Sequence, residues 1–394
     1  MTSRNNRKNK PRNVEATPLD ERIEALSSTL PFYVQEYITY QLEDKYRSER
    51  TVYSYIHDFV QFFNWLIEQK ETDVANIKDI PLSCLEQLSR DTVNAFLKAS
   101  SFEIVKNKKD KAKTRKAPVD QINTIKPNQN TKNRKISALK SLFRYLTEIT
   151  EYKVGEFKGE SYFHRNVMKK IEISKAKNAA EAASAISSKI FHEDQDKQFL
   201  EFVVSKYENQ IADNKKMLTH FLKNKERDIA ILTLFLGSAL RVSELASLTL
   251  DDVDLVERQV YVVRKGHTHK QAVKITQSAL DDLKQYINIR KERYKLPSDE
   301  IALFVTGNKK GDSPYSVLSV RAIQNLVAKY TASFGKKMSP HKLRHTFASR
   351  LSRENNGNIK VVQNQLGHTS SQTSLIYVHL NDKEQEKAVD KSGI

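Results

Sequence analysis

The stretch QVYVVRKGHTHKQAVKI, residues 259–275, is where the fold class is decided. Gln259 to Val263 is rich in β-branched residues. Gln271 to Ile275 follows it across the polar run Lys265-Gly266-His267-Thr268-His269. Two short β-prone runs joined by a polar, glycine-containing turn read as a β-hairpin. The surrounding chain reads as helix: helical patterns cover roughly 194–206, 225–247, 278–294, 316–333, 341–353 and 358–366. A mainly helical domain with one small antiparallel sheet is therefore expected over residues 191–394, giving an α+β class for this half.

Upstream the pattern is helical throughout. From Ser48 to Gln69, apolar residues fall at Val52, Tyr55, Ile56, Phe59, Phe62, Phe63, Leu66 and Ile67, one face of an amphipathic helix. A shorter helix is expected at Asp91 to Ser100, and another from Thr131 to about Glu148 with Ile136, Leu139, Leu142, Phe143 and Leu146 buried. On the latter helix, Lys132, Arg134, Lys135, Lys140 and Arg144 supply positive charge for a phosphate backbone, or simply a solvated face. The run KNKKDKAKTRK (106–116) lies in a Lys/Asn-rich insertion at about 103–130 and reads as a loop. Residues 1–29 read as a disordered basic tail, 30–170 as a helical domain and 171–190, rich in Lys, Ala and Ser, as a linker or weak solvent-exposed helix.

A chain of 394 residues is long enough for two domains with their own cores. Its formal net charge is +18, with a pI near 9.6. Such an excess favours a polyanionic partner, because each neutralised phosphate releases condensed counterions. Cys84 is the single cysteine, which excludes an intrachain disulfide and a cysteine metal cluster. No apolar run approaches the ~18 residues of a membrane span, and the basic start is followed by no signal-like apolar stretch. A cytosolic protein without membrane attachment is expected.

Six residues of the second domain carry the chemistry: Arg241 in GSALRVSELASL, Lys265 at the hairpin, His341 and Arg344 in HKLRH after Pro340, His368 in QLGH, and Tyr377 in TSLIYVH. A phosphodiester cut without metal gathers charge on its non-bridging oxygens. Two guanidiniums match those oxygens with permanent, bidentate charge. A phenol can attack once its proton is taken, a lysine can protonate the departing oxygen, and imidazoles can move protons or hold phosphate. Taken singly, each of these residues has an ordinary structural explanation; their order and spacing make the signal.

That ordered set, Arg241, Lys265, His341-Lys342-Leu343-Arg344-His345, Leu366-Gly367-His368 and Tyr377, resembles the signature of the tyrosine recombinase (phage integrase) family, and within it the Xer-type single recombinases. The stretches GESYFHRNVMKKI (159–171), KNKERDIAILTLFLGSALRVSE (223–244) and PHKLRHTFASRL (340–351) carry the narrower likeness. The resemblance implies a two-domain DNA clamp: a SAM-like helical core-binding domain over 30–170 and a catalytic domain over 191–394. It implies that Tyr377 forms a 3′-phosphotyrosyl bond, Arg241 and Arg344 clamp the phosphate, and Lys265 protonates the leaving oxygen. His341 acts as base or hydrogen-bond donor, His368 holds the phosphate, and His345 supports the site from behind. No cofactor is implied. The implied partners are duplex DNA with a short inverted-repeat core site, a homotetramer on two such sites, and a division-linked DNA translocase. Residues 378–394 would dock on a neighbouring protomer. The implied task is resolution of chromosome dimers at cell division, or else integration or resolution of a plasmid or mobile element.

Three other readings fit parts of the pattern. A type IB topoisomerase uses a similar residue set as a monomer. A non-catalytic DNA-binding regulator would use the same cations for phosphate contacts alone. A metallohydrolase would use His267, His269, His341 and His368, but these lack acidic partners at ligand spacing.

Overall fold

The computed structural model describes residues 18–100, 102–105, 124–127, 129–152, 158–174, 179–264, 267–307, 314–368 and 372–378. Lys265, the run 106–116 and residues 379–394 lie outside the described residues, as do residues 1–17. The chain divides into two units, Met1–Ala176 and Lys177–Ile394.

The first unit is built of helices α1 (Pro18–Ser27), α2 (Phe32–Thr39), α3 (Glu49–Glu68), α4 (Leu82–Gln87), α5 (Arg90–Ser100) and α6 (Gln129–Arg144). The long helix α3 forms where the apolar stripe predicts it, burying Val52, Ile56, Phe59, Phe62, Phe63 and Leu66. Aromatic rings dominate this core and meet edge to face, as Phe62 does with Phe96 at 4.9 Å between centroids. Strands β1 (Phe102–Val105) and β2 (Thr124–Pro127) pair antiparallel, Ile104 opposite Ile125, so the insertion begins and ends as a ribbon.

Two expectations for this unit need correction. Residues 18–27, assigned to a disordered tail, form α1, because Leu19, Ile23 and Leu26 recur at helical spacing and pack on the core. Lys135, assigned to a DNA-facing surface, is 2% exposed, and its ammonium donates to Gln61 Oε1 at 2.5 Å and to the Ser100 carbonyl at 2.7 Å. Arg134 is held by Asp58 at 2.5 Å and Arg144 by Glu148 at 3.1 Å, while Lys132 and Lys140 are half-buried.

The second unit contains α7 (Ala179–Ser187), α8 (Gln195–Glu201), α9 (Tyr207–Gln210), α10 (Lys215–Ser238), α11 (Val242–Ala246), β3 (Val253–Asp254), β4 (Gln259–Val263), β5 (Lys270–Lys274) and α12 (Gln277–Tyr294). It continues through β6 (Val305–Thr306), β7 (Ser316–Val317), α13 (Val320–Ser333), α14 (Pro340–Glu354), α15 (Ile359–Leu366) and α16 (Gln372–Val378). Every residue of α10 from Arg227 to Ser238 is buried, so this helix is the axis of the unit, with α12, α13 and α14 packed around it. The hairpin is present: Gln259 pairs with Lys274 and Val263 with Lys270, and β3 adds a third strand. Residues 316–317 belong to a second small ribbon with β6, and the helix predicted from 316 begins at Val320. The linker region holds α7, whose Ala183 is 2% exposed and which packs against α16, so its inner face is not solvent-exposed. No helix among the described residues is long and apolar enough to cross a membrane.

Candidate active site

The site forms where α10 stops. Ala239 takes a left-handed backbone, φ 60°, and ends the helix; Arg241 then caps α11 from an extended conformation. Glu244, three residues on, reaches back: its Oε2 accepts the Arg241 backbone N–H at 2.8 Å and its Oε1 accepts Arg241 Nη1 at 2.6 Å. The chain break therefore fixes both the backbone and the guanidinium of Arg241.

Helix α14 supplies three more groups. Pro340 stands in its first turn, where its missing N–H removes no helical hydrogen bond. His341, Arg344 and His345 follow at spacings that place them on one face. Arg344 is 2% exposed; it donates through Nη1 to the Ala239 carbonyl and through Nη2 to the Leu366 carbonyl at 2.7 Å. Its Nη1 is 4.0 Å from Glu244 Oε2. Glu244, itself buried, is thus the common carboxylate between two guanidiniums of different helices. Burial, and then the neighbouring Arg241, lowers Arg344 to about 10, which leaves it charged at neutral pH.

The last two groups come from the C-terminal elements. Gly367 closes α15 at φ 61°, and His368 follows with Nδ1 3.0 Å from Ser374 Oγ on α16. Tyr377, on the same helix, is 2% exposed among Ala239, Phe347, Val362 and Leu366. Its hydroxyl lies 2.7 Å from His345 Nδ1, and His345 Nε2 lies 3.0 Å from His341 Nε2. Burial pushes the phenol up to about 12, against the pull of Arg344 and Arg241, so it stays protonated until a base takes the proton. Burial, then the nearby cationic and imidazole groups, holds His345 at about 3 and His368 at about 4, so both are neutral.

Five of the six residues singled out in the sequence thus converge: Arg241, His341, Arg344, His368 and Tyr377. Lys265 lies outside the described residues. The residue before it, Arg264, is buried and donates to the carbonyls of Leu366 at 2.5 Å and Gln365 at 2.7 Å. Strand β4 is thereby tied to the end of the helix that precedes His368.

Comparison with known proteins gives the family of the chain. The phage integrase family model matches residues 208–384. Tyrosine recombinase XerS of Streptococcus sanguinis is 37% identical over 374 residues, spanning 94% of this chain and 98% of that protein. The chain belongs to the tyrosine recombinase family. Tyrosine recombinase XerS of Lactococcus lactis subsp. lactis is 36% identical over 373 residues, again spanning 94% and 98%. A crystal structure described as the XerH site-specific recombinase bound to a palindromic difH substrate, a post-cleavage complex, shares the fold. Its TM-score is 0.56 at 20% identity, over 86% of this chain and 78% of that one. The enzyme is a site-specific DNA recombinase.

Several residues of this candidate site are not among those singled out in the sequence. Glu244 stands at the third helical position after Arg241, the place of an acidic capping-box residue, and that spacing was the available signal. Arg264 and Ser374 gave none: their roles depend on α15 and α16 arriving beside them. His345, expected behind the site, is the imidazole that touches the phenol; His341, expected as base, stands one ring further out.

Proposed function

We propose that this recombinase breaks DNA by attack of Tyr377 on a phosphodiester held by Arg241 and Arg344, leaving a 3′-phosphotyrosyl bond and a free 5′ hydroxyl. One observation carries the reading: Glu244 bridges two guanidiniums beside a buried phenol that already has an imidazole partner. Before DNA arrives, the carboxylate keeps the guanidiniums oriented and offsets their repulsion. A phosphate entering between them meets preorganised charge at the oxygens where charge develops, the largest expected catalytic term. His368 adds a neutral donor or acceptor to that phosphate, and Lys265 protonates the leaving oxygen. The ester conserves the energy of the broken bond, so rejoining needs no nucleotide.

The substrate is duplex DNA carrying a short inverted-repeat site, and four protomers act on two such sites. Lys132, Lys140 and Arg144 on α6 contact the DNA backbone, and the segment after Val378 docks on a neighbouring protomer. The cellular task is resolution of chromosome dimers at division, in the cytoplasm, coupled to a DNA translocase. The support for this is the resemblance along 94% of the chain to proteins named XerS.

The chemistry is tested by trapping. Random-sequence nicked duplexes that become covalently attached to the unsubstituted chain are recovered and their common site is read. Tyr377→Phe should then bind that duplex with unchanged affinity and form no adduct, while Arg344→Lys should slow adduct formation at least about 100-fold. An adduct that persists in Tyr377→Phe overturns the assignment. Deleting the gene should leave unresolved chromosome dimers in dividing cells. Normal segregation, with the recovered site located in a transferable element, would favour a mobile-element role instead.

A further inference from the structure

Tyr377, His345 and His341 form an unbroken line of hydrogen-bonding atoms from a buried phenol to the surface. The contacts are 2.7 Å and 3.0 Å, and the outermost residue, His341, is exposed. A neutral imidazole has one N–H and one lone pair. The two Nε2 atoms that face each other must share one proton, which gives the line a direction. When the phenol donates to His345 Nδ1, His345 Nε2–H donates to His341 Nε2. Each proton then has an acceptor ahead of it.

We propose that His345 is a catalytic residue that takes the Tyr377 proton at Nδ1 while passing its own Nε2 proton to His341. The step rests on Tyr377 being the nucleophile. An electron pair of the phenolic oxygen forms the bond to phosphorus as the O–H bond breaks toward His345 Nδ1. The His345 Nε2–H bond breaks in turn, and His341 becomes the imidazolium. The bond from phosphorus to the 5′ oxygen breaks, and that oxygen is protonated by a separate acid, the role that the family resemblance implies for Lys265. His345 ends neutral with its tautomer exchanged, and the reverse transfer during rejoining restores the phenol.

The charges around the line favour relay over storage. His345 faces His341, Arg344, His368 and Tyr377; burial and the cationic groups hold it far too low to keep two protons. It must pass one on. His341 is also lowered, by partial loss of water around its ring and then by Arg344 and Arg241. A phosphate seated on those two arginines offsets their charge and so raises the basicity of His341, while the effect of burial stays in place. Substrate binding therefore moves the terminal acceptor in the direction of taking a proton.

The test uses the full chain and single-turnover cleavage of the duplex recovered by trapping. His345→Asn keeps an amide near the Nδ1 position, able to hydrogen-bond the phenol but not to relay. It should slow cleavage about 100-fold with DNA affinity unchanged, and the deficit should shrink as rising pH supplies hydroxide. His341→Asn should behave alike, and the double variant should be no slower than either single one, since both interrupt the same transfer. With 3,5-difluorotyrosine at position 377, a phenol far more acidic than tyrosine in the same pocket, the His345→Asn deficit should shrink markedly. A measurement on unsubstituted protein covers the case of a variant that folds poorly. On a duplex whose 5′ bridging atom is sulfur, which departs without an acid, the rate in mixtures of light and heavy water should bend as two moving protons require. A straight dependence, multiplicative losses in the double variant, or a His345→Asn deficit that difluorotyrosine leaves unchanged overturns the relay. An adduct mapping away from Tyr377 overturns the nucleophile instead, and is read first from the unsubstituted chain.

Discussion

Arg264 fills the space that a side chain on Gly367 would need: a Cβ built there lies 2.7 Å from Arg264 Cδ and 2.9 Å from Cζ. Gly367 also holds φ 61°, the left-handed region that closes α15. Glycine is required twice over, once by the backbone and once by the guanidinium beside it. The contact joins the strand that leads to Lys265 with the turn that leads to His368.

Gly367→Ala should therefore cost about 1–3 kcal/mol, the range for a strained backbone held in place by its surroundings. Arg264 must shift to admit the methyl group, and the carbonyls of Gln365 and Leu366 then lose the aligned N–H groups of Arg264 that they accept from. Urea unfolding of the full chain should show the loss, and single-turnover cleavage should fall at least about tenfold through misplacement of His368. Unchanged cleavage at reduced stability would mean that the Arg264 contact serves the fold alone.

Glu244 is the second site where one side chain supports several. Glu244→Ala leaves Arg344 buried without its carboxylate and removes the cap of the Arg241 N–H. Breaking a buried charge pair in this way costs about 3–5 kcal/mol. Glu244→Gln keeps an acceptor for that N–H and should cost only about 1–2 kcal/mol. The two variants should separate clearly in thermal unfolding, and both should cleave more slowly than the unsubstituted chain because the guanidiniums are no longer held in common.

The buried imidazoles set a direction for acid stability. His345 and His368 lie at about 3 and about 4 in the folded chain, whereas an unfolded histidine titrates at about 6.5. As pH falls below about 6.5, the unfolded state takes up protons first. The stabilisation is complete above that value and is lost as pH falls toward about 4 and then about 3. Calorimetry should show the catalytic unit melting earlier at pH 5 than at pH 7, by roughly 2–4 °C for each kcal/mol lost in a unit of this size. His345→Asn should flatten that dependence; an equally steep one would show that other groups control it.

What the sequence made legible was whatever its period and punctuation specify locally. The stripe from Val52 to Leu66 fixes α3, Pro340 marks the start of α14, and the β-branched run at 259–263 marks the hairpin. The failures arose where residue type and position disagree. Lys135 stands at helical spacing with Ala138, Leu139 and Leu142, so the period places it inside, and its charge alone argued for the surface. In α7 a run of small residues reads as solvated, yet small side chains let α16 approach closely. The pairing of Tyr377 with His345 spans 32 residues and depends on α14 and α16 meeting, which no local pattern encodes.

Salt dependence separates the cations of α6 by what they touch. If Lys132 and Lys140 meet phosphates, Lys132→Gln and Lys140→Gln should each reduce the slope of log affinity against log salt by about 1 and leave stability within ~0.5 kcal/mol. Lys135→Met should do the opposite. Its ammonium serves Gln61 and Ser100, and burial holds it down at about 8. Removing it strands the Ser100 carbonyl and the Gln61 oxygen, at a cost of about 1–3 kcal/mol in unfolding free energy. The salt slope should not move, because the charge that is lost is buried. A change of slope in Lys135→Met without a change in stability would instead place that lysine among the surface cations that meet phosphate.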